Sequence, residues 1–149
     1  MKVPISIFGT KGSSLESIVV YSVDVLQLSI PYIAKLLNRS TSTLYSTYYI
    51  AKQKGILAST FLNGTKDSFL VDIPLSLFSD RRYSVLESLI SYLRLTLGYS
   101  VRDISICLAL SISTIHTVLY RYKKKQKEKQ DQFTTKLLLD SIEKQLATS

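Results

Sequence analysis

Cysteine occurs once, at Cys107, histidine once, at His116, and tryptophan not at all. A single thiol forbids an intrachain disulfide, and with one histidine it excludes a zinc finger, which needs four nitrogen or sulfur ligands. Cys107 falls on the apolar face of a predicted helix and reads as a small buried hydrophobe rather than a reactive thiol. Glycine is limited to 5 residues, with no glycine-rich phosphate loop among them. Acidic residues number 11 against 19 bases and are scattered. No cluster of them suits magnesium, and no nucleophile has a base at hand, so neither enzymatic activity nor a cofactor is expected. Long apolar runs are also missing. The stretch from Ser14 to Leu37 is broken by Glu16, Asp24, Pro31 and Lys35, so no membrane span is expected, and no signal peptide is read at the start. The expectation is a soluble, cytoplasmic, nucleoid-associated protein.

What the chain has in plenty is positive charge and repetition. The net charge is +8 with a pI near 9.6, which favours a polyanion as partner, nucleic acid before membrane surface. Residues 1–72 carry net +3 and residues 73–149 net +5. An apolar content of 46% over 149 residues suits a globular protein of one ordinary domain or two small ones.

Repetition decides for two. Adding 71 to Leu15, Glu16, Ser17, Tyr21, Leu26 and Ser29 lands on Leu86, Glu87, Ser88, Tyr92, Leu97 and Ser100. The same offset carries Ile33, Leu37, Ser40, Ser42 and Thr43 onto identical residues, and then Tyr49, Lys52 and Lys54 onto Tyr120, Lys123 and Lys125. Upstream of a one-residue slip, Pro4, Ser6 and Phe8 match Pro74, Ser76 and Phe78 at offset 70. Unrelated segments do not keep such a register, so the chain is an internal duplication. A fifty-residue module is near the lower limit for an independent core, and the halves are expected to support each other or a partner chain.

Within each module the periodicity predicts a short strand followed by three helices. In the first module these are a strand at Val3–Phe8, with Pro4 arguing for an edge, and a helix from Ser13 to Leu26. A second helix follows, capped at Ser29 with Pro31 in its first turn, and a third runs from Thr41 to Lys54. Gly55 stops the first module. Residues 56–72 read as a linker with a hairpin around Asn63-Gly64, pairing Phe61–Leu62 and Phe69–Val71 in a small sheet with the repeated strand Ile73–Phe78. The second module predicts helices over Tyr83–Leu97, Ser100–Leu108 and from Ile112 onward, with Gly98 at a C-cap. Here the last helix continues through six basic residues between Arg121 and Gln130 into an apolar stripe of Phe133, Leu137, Leu138, Ile142 and Leu146. That stripe is expected to dock on the body or to pair two chains as a homodimer. The boundaries are thus 1–55, 56–72, 73–125 and 126–149.

The segment Ile33-Ala34-Lys35-Leu36-Leu37-Asn38-Arg39-Ser40-Thr41-Ser42-Thr43-Leu44 resembles the helix-turn-helix of the sigma-factor region 4 type. The second copy departs where Ser105 replaces the usual alanine and Ala109-Leu110 replaces the polar turn. The resemblance implies a mainly α fold of two tandem three-helix modules and a recognition helix that enters the major groove of double-stranded DNA. Burying Leu44, Tyr48 and Ala51 leaves Ser42, Thr43, Tyr45, Ser46, Thr47 and Tyr49 outward. By the offset, burying Ile115, Leu119 and Tyr122 leaves Ser113, Thr114, His116, Thr117 and Arg121 outward. Arg39, Lys52, Lys54, Lys123, Lys124 and Lys125 stand where phosphate contacts are expected. Hydroxyls and rings without Arg, Asn or Gln at the helix starts imply modest base selectivity.

The expected function is binding of double-stranded DNA at a bipartite site, in transcriptional regulation. Two other functions fit the same features: an architectural or partition-type protein that coats DNA, and a protein–protein adaptor that docks on the transcription machinery.

Overall fold

Six serines set the helix starts. The computed structural model describes residues 1–62 and 71–148, which are mainly helical with little strand. In order, the elements are β1 (Lys2–Pro4), α1 (Ser14–Val20), α2 (Ile30–Leu37), α3 (Thr41–Gln53), α4 (Ala58–Leu62), β2 (Asp72–Pro74), α5 (Val85–Ser91), α6 (Val101–Leu108) and α7 (Ile112–Thr148). Ser13, Ser29 and Ser40 each accept a hydrogen bond from the amide three residues on, opening α1, α2 and α3. Ser84, Ser100 and Ser111 do the same for α5, α6 and α7. Such a cap satisfies an amide that the helix leaves unpaired and contributes about 1 kcal/mol. At Ser84 the cap is reciprocal, because the Glu87 side chain accepts from the Ser84 amide.

The first helix of each half is shorter than its apolar periodicity suggests. After α1 the backbone widens into a π-helical turn over Tyr21–Val25, and after α5 into another over Tyr92–Thr96. Each closes with an amide reaching five residues back, Leu26 to Tyr21 at 3.1 Å and Leu97 to Tyr92 at 3.0 Å. The short helices α2 and α6 end in left-handed residues, Asn38 at φ 53° and Ala109 at φ 52°. The chain then turns directly into the next helix, and between α6 and α7 its direction changes by 110°.

The predicted strand Val3–Phe8 is cut to three residues. After Pro4 the chain coils into a 3-10 helix over Ile5–Ile7 that turns Ile5, Ile7 and Phe8 all inward. In the repeat the same happens over Leu75–Ser79. The expected sheet with Phe61–Leu62 does not form, since those residues lie in α4, where the Phe61 ring meets Tyr21 edge-on at 5.8 Å. The hairpin read around Asn63-Gly64 and the residues Phe69 and Leu70 lie outside the described residues. Instead β1 pairs with β2, antiparallel, in the register Lys2–Pro74, Val3–Ile73 and Pro4–Asp72.

That register has a symmetry. The repeat offset of 70 exchanges Val3 with Ile73, Lys2 with Asp72 and Pro4 with Pro74, so the set of pairs maps onto itself. It also exchanges the two flanking bonds, Ile5 N–H to Val71 C=O at 2.8 Å and Leu75 N–H to Met1 C=O at 2.9 Å. The ribbon therefore lies on a local two-fold axis that relates the halves. From it each arm crosses to the other half. Arg39 donates to the Phe78 carbonyl at 2.8 Å and Asn38 to the Ser79 carbonyl at 3.2 Å. On the opposite side the backbone of Gly9 lies against Leu108 at the end of α6. One cluster of buried side chains runs through both halves, including Val3, Ile7, Ile18, Ile33, Leu37, Leu44, Ile73, Leu89, Ile104 and Ile115.

The symmetry breaks at the C-terminal end. Gly55, at φ 80°, follows α3, whereas Gln126 stands in its place in the second half and α7 runs on for 37 residues, about 55 Å. The body covers only its beginning; Phe133, Leu137, Leu138, Leu139, Ile142 and Leu146 are all exposed. The predicted single stripe also divides. At about 100° per residue, Leu138, Leu139, Ile142 and Leu146 share one face, and Phe133 and Leu137 fall on the opposite one.

The backbone signs yield a stability prediction. A left-handed alanine costs about 1–2 kcal/mol, only part of which a glycine gives back through unfolded-state entropy. Ala109→Gly is expected to stabilise the protein by about 0.5–1 kcal/mol in urea denaturation. Gly9→Ala is expected to destabilise it by about 2 kcal/mol, because a left-handed φ of 84° combines with backbone atoms of Leu108 only 3.2–3.3 Å from the new Cβ.

Candidate nucleic-acid interface

The outward faces of α3 and of the first turns of α7 hold most of the residues singled out from the sequence. In α3, Leu44 and Ala51 are fully buried and Tyr48 half-buried, leaving Ser42, Thr43, Tyr45, Ser46 and Tyr49 exposed and Thr47 half-buried. In α7, Ile115, Val118 and Leu119 are buried, while Ser113, His116, Thr117 and Arg121 are exposed and Thr114 is half-buried. Tyr122, expected in the core, is half-buried and stacks on Tyr83 at 4.6 Å. Tyr120 was missed. It is the offset partner of Tyr49, and the two rings are 67% and 64% exposed, so the repeat itself could have found it.

The hydroxyls divide by what they already bond. Thr43 pairs with the Ser40 cap at 2.6 Å and Thr114 with the Ser111 cap at 2.7 Å. Thr47 and Thr117 donate back to the carbonyls of Thr43 and Ser113. These four serve the helices first. Ser42, Ser46, Ser113 and His116 have no such bond, and with the rings of Tyr45, Tyr49 and Tyr120 they form the outward chemistry of each helix start.

The basic residues divide in the same way. Lys54 donates to Glu16 at 2.8 Å and Lys125 to Glu87 at 2.8 and 3.1 Å, an ion pair that the duplication keeps in both halves. Glu16 and Glu87 are buried near the start of α1 and α5, so each lysine ties the far end of its helix to the helix beneath. Lys52 is bound to Asp24, which also accepts from the Tyr48 hydroxyl at 2.8 Å. Partial burial works against the charged form of Lys52, but the hydrogen bond and charge of Asp24 outweigh it and raise its pKa. Burial, then the Asp24 bond, raises that of Tyr48. Arg39 is half-buried, holding the Leu37 and Phe78 carbonyls at 2.9 and 2.8 Å; burial and then the charge of Arg81 lower its pKa.

Four of the six predicted phosphate contacts are thus also struts of the fold, and Lys123 and Lys124 are exposed without an intramolecular bond. Arg81 is an exposed cation beside the first turn that sequence reasoning missed. Its neighbour Arg82 is bound to Asp80 at 2.7 and 3.0 Å. The signal was the Arg81-Arg82 pair between strand and helix, where the first half has Thr10-Lys11.

Among the described residues, no group of three His, Cys, Asp or Glu side chains lies close enough to hold a metal ion, and no helix is long and apolar enough to cross a membrane. Cys107 is half-buried, and its thiol is pushed up to about 11 by burial and the nearby charge of Asp103.

Two measurements check these assignments. Lys125→Met removes the partner of a buried carboxylate and is expected to destabilise the fold by about 1–3 kcal/mol, whereas Lys124→Met stays within about 0.5 kcal/mol. With its pKa near 11, Cys107 is almost wholly protonated at pH 8, so its reaction with a disulfide reagent is expected to be slow in the native protein and fast in denaturant. No family model matches the chain, and comparisons with curated proteins and with solved structures find no match to it.

Proposed function

We propose that this protein binds double-stranded DNA through two helix-turn-helix units, α2–α3 and α6–α7, with α3 and the start of α7 as recognition helices. The observation that carries this reading is the pattern of what the duplication keeps and what it changes. Both copies keep the serine cap before the second helix, the left-handed turn residue and the buried leucine at the turn, Leu37 and Leu108. Of the outward side chains they keep Ser42 as Ser113 and Tyr49 as Tyr120, and change Tyr45-Ser46 to His116-Thr117. A scaffold held constant under a polar face that changes at its centre is what two readers of related but unequal base sequences require. The change of direction of 110° between α6 and α7 falls in the range of about 90–120° usual for such units. The net charge of +8 supplies the sequence-independent attraction to phosphate.

Ser42, Ser46 and Ser113 can bond base edges, and Tyr45, Tyr49, His116 and Tyr120 offer ring edges and faces to thymine methyls and bridging waters. Arg81, Arg121, Lys123 and Lys124 carry the phosphate contacts. Transcriptional regulation is the use that fits two weak readers in one chain, since linkage raises the affinity for a bipartite site. The exposed face of Leu138, Leu139, Ile142 and Leu146 favours a second reading, in which copies associate through α7 and coat DNA.

Selection from a random duplex library, with affinities at two salt concentrations, tests the proposal. A sequence motif and a steep salt dependence are expected. Lys123→Ala with Lys124→Ala is expected to weaken binding to all sequences and to lower the salt slope by about two phosphate contacts. Ser113→Ala with His116→Ala is expected to change the preferred bases while leaving non-specific binding within a factor of about two. Binding that is salt-sensitive but without any motif would replace the regulator by the coating protein, and no binding would leave the adaptor.

A further inference from the structure

We infer that the DNA site is an inverted repeat with unequal halves whose centres lie about one helical turn apart. The inference rests on the DNA-binding reading and adds the arrangement of the target, which the duplication alone leaves open. Tandem copies on a flexible linker suit direct repeats, inverted repeats or any spacing. Copies related by a rotation suit one arrangement.

The rotation is read from hydrogen bonds. The β1–β2 register is unchanged when each residue is replaced by its repeat partner, and so are the flanking Ile5–Val71 and Leu75–Met1 bonds. Only an antiparallel pair centred on a two-fold axis has this property; a parallel pair or a simple translation does not. A two-fold rotation keeps height along its axis, so equivalent points of α3 and α7 lie level on opposite sides of it. A duplex laid across the axis meets both helices with its strands exchanged, and strand exchange is what defines an inverted repeat.

The arms bound the spacing. From Ile73 on the axis to Ser79 beside Asn38, two strand steps of about 3.3 Å and four 3-10 steps of about 2 Å cover about 15 Å. Twice that length, with the contact from arm to turn added, sets the turns that precede the two recognition helices, at Asn38 and Ala109, at most about 40 Å apart. One turn of B-DNA, about 34–36 Å, fits within this limit, and two turns do not. The halves are unequal because Tyr45 and Ser46 stand on one side where His116 and Thr117 stand on the other.

The test uses the full chain and duplexes of about 40 bp carrying the two halves recovered by selection, placed as inverted, everted or direct repeats at centre spacings from about 6 to 20 bp. Affinity is read by fluorescence anisotropy at fixed salt. The inverted repeat at about 10 bp is expected to bind at least about tenfold tighter than a direct repeat of the same spacing. A direct or everted repeat that binds as tightly, or an affinity indifferent to spacing, overturns the inference while leaving DNA binding intact. Failure of every duplex to bind above a scrambled control overturns the underlying reading with it.

Discussion

The three-residue pairing of β1 with β2 is the constraint on which the rest of the molecule depends. Each fifty-residue half has too little interior to close over its own apolar side chains. The ribbon solves this by sending the opening arm of each half across the axis, so that Ile5, Ile7 and Phe8 enter the common core beside Ile73, Leu75 and Phe78. Phe8 and Phe78 meet near the crossing at 6.3 Å. A two-stranded sheet is marginal by itself, and its prolines are tolerable because both strands are edges. The ribbon adds little binding strength, but it sets the relation between the halves.

On that frame the two turns are built from unlike parts. In the first half, polar side chains do the work: Asn38 adopts the left-handed conformation that asparagine tolerates, and Arg39 and Asn38 hold the carbonyls of the crossing arm. In the second half Ala109 takes the same strained conformation, and the arm approaches through the bare backbone of Gly9. What remains common is deeper, the pair of buried glutamates with Lys54 and Lys125 and the serine caps. The ion pairs and caps that seat the helices are retained, while the turns have diverged and the outward Tyr45-Ser46 has become His116-Thr117 between the unchanged Ser42/Ser113 and Tyr49/Tyr120.

Much of this was legible in the sequence because the signals are local. Ser29 marks a helix start by its place before Pro31, and the starts near Thr41, Ser100 and Ile112 follow from an apolar spacing that the two copies share. The duplication itself needed only counting. Other features depend on distant partners and leave no local trace. Val3 and Ile73 pair across some seventy residues of chain, so the periodicity could show a strand but not what it meets. The π-helical turns at Tyr21 and Tyr92 shift the following residues by part of a turn, which a uniform helical period does not register. Whether a lysine at a helix end points to solvent or to a carboxylate depends on the helix beneath it; Lys124 and Lys125 are adjacent in sequence and opposite in role. The long apolar stripe of α7 divides for a geometric reason, since the single step from Leu137 to Leu138 turns the helix by about 100° and leaves Phe133 and Ile142 back to back.

If the proposal holds, the outward faces of α3 and the start of α7 touch the duplex together. Backbone amide shifts recorded while a selected duplex is titrated into labelled protein measure this directly. Ser42, Tyr45, Ser46 and Tyr49 are expected to move in concert with Ser113, His116, Thr117 and Tyr120, at one stoichiometry, while residues beyond Phe133 stay still. Shifts confined to the exposed end of α7, or to one recognition helix alone, would contradict it.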